Sequence, residues 1–482
     1  MISGWWALAE WIADVWQTVS DDPSVTAPSN RPDPPTPRPL SNWSIAAGAV
    51  VLLAIATVVS FVLLRRYGGR GAQIQLDAIR TAGTLVIGTG GAVALLLTAR
   101  RQRYTELTLV HTTSDATERR ITELYTKAAD QLGSDKAPVR LAGLYALERL
   151  AQNTPEQRQT IVDVLCAYLR MPYTLPEDQP PNEDAPDEAH TRYANRREEQ
   201  QVRLAAQDIL SRNLRVVGQR RRRGWHRTPP NARVDLTGAL LLKFSLADCQ
   251  LGYANFAHAQ FKGEADFMGA LFTGKANFEG AQFTGVAHFW GAEFTGEASF
   301  ERAKFKGVAD FRRAWFTDLT QFKRAKFASL AHFNDAEFTT LAQFERVKFA
   351  SAAFFRDARF TGVANFESAR FTGGVAHFWG VRFNHLTYFT DVHFTDQALF
   401  QDAQFTDEAS FERAQFNGNV DFRELDLREV HFPARGTGVF RFQGARATST
   451  ASPSTRWPPG WTTRPAIPGK GEDPNFLYLT QA

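Results

Sequence analysis

The stretch Ala276-Asn277-Phe278-Glu279-Gly280-Ala281-Gln282-Phe283-Thr284-Gly285-Val286 is followed at once by Ala287-His288-Phe289-Trp290-Gly291-Ala292-Glu293-Phe294-Thr295-Gly296-Glu297. The unit is A-x-F-x-x-A-x-F-x-G-x, with phenylalanines separated by five and six residues in turn. The same alternation runs through Phe300 and Phe305 onward to Phe422. A strand repeats its faces every two residues and a helix about every 3.6, so neither keeps such a row on one side. A chain that turns a corner every five or six residues does. Each side then points one large and one small residue inward and leaves the positions between them to solvent.

The row begins earlier, with plain five-residue steps: Leu236, Leu241, Leu246, Leu251, Phe256 and Phe261, each preceded two positions before by Val234, Ala239, Phe244, Cys249, Ala254 or Ala259. Four sides of alternating length make a turn of about 22 residues, and similar segments should then recur at multiples of that number. Ala298 to Arg302 resembles Ala342 to Arg346, and Ala276 to Glu279 resembles Ala364 to Glu367. Ala287 to Gly291 returns as Ala376 to Gly380, displaced by one extra residue at Gly373-Gly374.

This pattern, from Val234 to about Ala445, resembles the pentapeptide-repeat family. The resemblance implies a mainly β repeat fold, a right-handed quadrilateral β-helix, here with N-terminal α-helical membrane and linker regions. It also implies a protein that binds or scaffolds rather than catalyses. Residues 123–150 are similar to the helical region between membrane spans and repeats in many bacterial membrane pentapeptide-repeat proteins. Some family members mimic DNA through a strongly acidic surface and bind DNA gyrase. Residues 232–445 instead carry nearly equal numbers of acidic and basic side chains, so they lack the potential such mimicry needs.

The chain of 482 residues is too long for one core. Residues 1–22 place Trp5, Leu8, Ile12, Val15 and Trp16 at helical spacing and read as an amphipathic helix. Residues 23–43 are a Pro-rich linker. Uncharged runs at 44–64 and 81–99 have the length of transmembrane helices, which predicts a two-span protein of the cell membrane. The arginine bias is narrow: Arg65, Arg66, Arg70 and Arg80 face Arg31, Arg38, Arg100, Arg101 and Arg103. It favours a cytoplasmic C-terminal domain. Next come a helical domain at 104–171, an acidic flexible linker at 172–191, a capping helix at 192–214, the repeat at 232–445 and a flexible tail at 446–482. The basic run Arg220 to Arg223 reads as a solvated linker, with anionic lipid contact as the sharper alternative.

No phosphate loop, nucleophile elbow or zinc-protease motif occurs. Cys166 and Cys249 stand alone and offer no disulfide framework or metal set. His288, His332 and His377 fall on one face but lie two coils apart, too far to share a metal. No catalytic residue, cofactor or metal is expected. The net charge of +4 does not point to nucleic acid, and no small-molecule substrate follows from the sequence.

One surface feature stands out. Arg302, Arg324 and Arg346 lie one turn apart, as do Lys304, Lys326, Lys348 and Arg370, which predicts two basic ladders along one face. Stacked like charges repel. A face neutralised by Glu301, Glu345 and Glu367 is one reading, and a stripe that binds an anionic partner is the other. The sequence thus suggests a membrane-tethered scaffold for an unknown protein partner, with an enzyme site in 104–214 as the competing class.

Overall fold

The computed structural model describes parts of 50–102, residues 119–215, residues 232–424 and parts of 440–482. Contacts divide the chain into two units, Met1–Asp115 and Ala116–Ala482. In the first unit, helical threonines fold their hydroxyls back on the preceding turn: Thr81 donates to the Asp77 carbonyl and Thr98 to that of Ala94.

The expected pair of membrane spans is corrected here. Among the described residues no helix is long and apolar enough to cross a membrane, whereas a span needs about 20 predominantly apolar residues in succession. Gly83, Gly88 and Gly91, together with the threonines, dilute the second run. Much of 44–64 lies outside the described residues, as do the expected helix at 1–22, the linker at 23–43 and the basic run at 220–223.

The second unit opens with helices α1 (119–132), α2 (Ala137–Asn153), α3 (Arg158–Arg170) and α4 (Asp187–Leu214). Helix α4 starts inside the segment expected to be a flexible linker. Pro186 is its N-cap, and Asp187 and Glu188 occupy its first turn, where the helix dipole favours negative charge.

From Arg233 onward the chain winds into a β-solenoid of about 9 turns. Its four sides are sheets of ten, twelve, eight and eight strands, parallel throughout the coil, and are called first to fourth in the order the chain meets them. On the second side Lys304 pairs with Lys326 and Lys326 with Lys348. The register is shorter at the start, where Arg233 pairs with Tyr253, as four plain five-residue sides require. It is one residue longer across Gly373-Gly374, where Arg359 pairs with Arg382.

The phenylalanines and alanines of the unit are buried, almost all with 2% exposure or less. Each ring lies on the ring one turn away, at centroid distances from 4.6 Å for Phe261–Phe283 to 5.3 Å for Phe394–Phe416. Rings from opposite sides meet edge to face across the interior, as for Phe300 and Phe311 at 5.3 Å. Both geometries suit the aromatic quadrupole, with offset stacking along a column and T-contacts between columns. Corners demand a left-handed residue two places after one phenylalanine of each pair. Gly280 supplies it at φ 63°, and Arg302, Arg324 and Arg346 adopt it at 55°, 57° and 53°.

An open end would leave a row of unpaired strand amides and carbonyls. At the start, glutamine side chains stand in for strands. Gln159 accepts from the Arg233 amide at 2.9 Å and donates to its carbonyl at 2.8 Å. Gln207 does the same for Leu242, at 2.9 and 3.2 Å. Ser211 donates to the Ser245 carbonyl, and Arg215 forms a bridge with Cys249.

At the other end the tail expected to be flexible forms strands instead. Arg446–Thr448 extends the second side, Phe476–Gln481 joins it antiparallel, and Trp461–Pro465 joins that strand in turn. Apolar contact holds the tail in place: Trp461 lies 4.9 Å from the Phe442 ring and Trp457 5.6 Å from Phe416.

Phe322 stacks 4.8 Å from Phe300 and 4.9 Å from Phe344. Phe322→Ala opens a cavity in both stacks, and urea unfolding should show a loss of about 3–5 kcal/mol. A loss below about 1 kcal/mol would mean that the rings do not form a continuous column.

Candidate functional site

The seven basic residues form two parallel columns. Lys304, Lys326, Lys348 and Arg370 sit in consecutive strands of the second side, paired in register. Each points outward because its neighbour Phe305, Phe327, Phe349 or Phe371 points inward, and all four are exposed. Arg302, Arg324 and Arg346 line the corner between first and second sides, one turn apart and also exposed.

Their ion pairing differs. Arg302 is neutralised, with Glu279 at 3.2 Å and Glu301 at 3.5 Å. Among the described residues no carboxylate lies within ion-pair distance of Arg324, Arg346, Lys304, Lys326, Lys348 or Arg370. Arg324 and Arg346 instead line an open depression of about 370 Å³ with Glu301, Lys323, Glu345 and Glu367, in which Glu345 is engaged by Lys323 at 3.5 Å.

Elsewhere on the coil charges are matched along or beside a column. Lys275 meets Glu297 at 3.1 Å, Arg413 meets Asp391 at 2.7 Å, and Arg312 meets Asp310 at 2.6 Å. The lysine column has no such match. Neighbouring strands lie about 4.8 Å apart, and two like charges about 5 Å apart repel by about 0.8 kcal/mol in water.

The coil contains its own comparison. Gln260 and Gln282 occupy this column before Lys304, and Gln415 follows His393 after Arg370. Glutamine therefore fits the same backbone position in the same sheet, so the fold does not require cations there.

No group of three or more potential metal ligands occurs among the described residues. On the third side His332 stacks on Phe354 at 4.9 Å, and Phe354 lies 6.0 Å from His377. Burial pushes both imidazoles below their usual pKa. His288 contacts Glu264 at 3.1 Å. Burial also pushes both thiols, Cys166 and Cys249, up to about 12, so neither is a thiolate at neutral pH.

Sequence reasoning passed over two local features. Arg356 lies over the Trp379 ring at 4.4 Å while the indole donates to Asp402. In the helical region an open hollow of about 590 Å³ is lined by Tyr173, Arg192, Arg196 and Glu199 among others. Glu199 is held there by Arg140 at 3.2 Å, Arg203 at 2.7 Å and the Tyr168 hydroxyl at 2.9 Å. A carboxylate so fully engaged is poorly placed to act as a base.

The fold is thus that of a repeat solenoid with a charged exterior and no assembled catalytic constellation among the described residues. The family described as Pentapeptide repeats (9 copies) matches at residues 256–304, 300–348, 344–392 and 378–426, and this part of the chain is a pentapeptide-repeat β-solenoid. No curated protein and no solved structure matches the chain.

Replacing Lys304, Lys326, Lys348 and Arg370 together by glutamine should leave the urea midpoint unchanged or raise it, because repulsion is relieved at no packing cost. A clear fall would show that these cations contribute to the fold.

Proposed function

We propose that the chain is a non-catalytic scaffold whose stiff β-solenoid presents an interaction surface to a protein partner. Right-handed coiling, the sense that parallel strand connections adopt, is part of this reading. The observation that carries it is the column in which glutamine gives way to a run of unpaired cations on a backbone that accommodates either. A stacked coil holds such a run at fixed spacing, with little further ordering needed when a partner docks.

Solenoid stability is close to a sum of repeats and their interfaces. Outward positions are therefore free to vary without disturbing the core, which suits a surface specialised for recognition. The raised thiol pKa values and the occupied Glu199 carboxylate fit a scaffold better than an enzyme.

Photo-crosslinking residues placed one at a time on the outward positions of all four sides test this in cells that produce the protein. A discrete protein adduct from one side and none from the others is the expected outcome. Absence of any adduct from all four sides would overturn the scaffold reading.

A further inference from the structure

The second side carries more than its cations. Next to the column of Lys304, Lys326, Lys348 and Arg370 runs a column of mostly small residues, including Ala328, Ala350 and Thr372. Beyond the following corner comes a half-exposed apolar row, Val286, Val308 and Leu330. From this side round onto the next the order is therefore cation, small residue, apolar residue, with Lys306 in the middle position at the turn of Val308. Acidic side chains are absent from these three columns on the turns from Gln282 to Val375. Glu301, Glu345 and Glu367 lie at the opposite corner, and Asp310, beyond Val308, is engaged by Arg312 at 2.6 Å.

Resting on the scaffold reading above, we propose that this side binds an acidic amphipathic helix of a protein partner, laid along the coil axis. Its carboxylates face the cation column and its apolar residues face Val308 and Leu330. The small-residue column gives the helix room between the two.

Spacing selects the occupant. Cations repeat every strand, about 4.8 Å, and a helix presents one residue per turn on a given edge, about 5.4 Å apart. Over three intervals the two drift apart by only about 2 Å, which flexible lysine side chains absorb. In an extended segment, side chains on one edge recur about every 6.8 Å, and the mismatch over the same length is about 6 Å, more than a whole strand. A nucleic acid would meet the cations but gain nothing from the apolar row.

The full chain tests this with a fluorescent synthetic helix of about four turns, with glutamate along one edge and leucine along the other. A peptide of the same composition in scrambled order and a single-stranded oligonucleotide of equal charge serve as competitors. Two variants copy residues that the coil already carries in the same columns: the pair Lys326→Gln with Lys348→Gln, as at Gln282, and Leu330→Gln, as at Gln397. Lys275→Gln on another side is the control.

The expected result is binding of the patterned helix that falls about tenfold or more with the lysine pair and several-fold with Leu330→Gln. It should weaken steeply with salt and stay unchanged with Lys275→Gln. Unfolding midpoints measured alongside should not fall. No binding, equal binding of the scrambled peptide, tighter binding of the oligonucleotide, or insensitivity to the second-side variants would each overturn the proposal. A protein adduct captured from a different side would leave the scaffold reading standing while sinking this one.

Discussion

Everything in the repeat depends on ring lying on ring. A phenylalanine can stack on its counterpart about 5 Å away only if the chain returns to the same side after a fixed number of residues, and the near-parallel stacks from Phe256 to Phe442 show that it does so turn after turn. The backbone ladder has the same requirement: the Phe278 amide donates to the Ser299 carbonyl at 2.7 Å and the Phe300 amide to that of Gln321 at 2.6 Å. Inward alanines and left-handed corner residues follow from it. Arg302, Arg324 and Arg346 tolerate a conformation that disfavours a side chain by about 1–2 kcal/mol, because the stacks on either side of the corner fix the path of the chain.

A second consequence concerns the exterior. In a solenoid of constant register, surface residues become columns, and the electrostatics of the molecule is set column by column. Lys275 with Glu297 and Arg413 with Asp391 show how a column can be balanced. The lysine column is unbalanced over four successive turns, yet the same sheet holds glutamine before and after it. The internal repeat thus separates what the fold needs from what it merely permits, a distinction that a non-repeating protein rarely offers.

Much of this was legible in the chain. A spacing of five and six can be satisfied by few folds, and similar segments one or more turns apart revealed both the number of sides and the alignment of Lys304, Lys326, Lys348 and Arg370. Ion pairing was not legible, because it depends on which carboxylate lies one turn away. Arg302 pairs with Glu279 below it, whereas Glu301, in the equivalent place below Arg324, is engaged by Arg302, and among the described residues Arg324 and Arg346 form no ion pair. Nor were the ends. The strands at Trp461–Pro465 and Phe476–Gln481 carry no repeat signal and owe their order to the edge of the last turn. The pairing of Gln159 and Gln207 with the first turn rests on contacts far apart in sequence. Hydropathy counted along the sequence also overstated the membrane spans, since run length says little once glycine and threonine dilute a helix.

The most direct measurement is disulfide formation in the purified protein. Adjacent parallel strands hold α-carbons about 4.8 Å apart, within the range that a disulfide spans. Lys326 and Lys348 are such neighbours, while Glu337 lies on the opposite, fourth side. Cysteines replacing Lys326 and Lys348 should therefore oxidise to an intramolecular disulfide under mild conditions, and cysteines replacing Lys326 and Glu337 should stay reduced. Failure of the first pair to close, or equal closure of both, would contradict the stacked four-sided turn and the cation column built upon it.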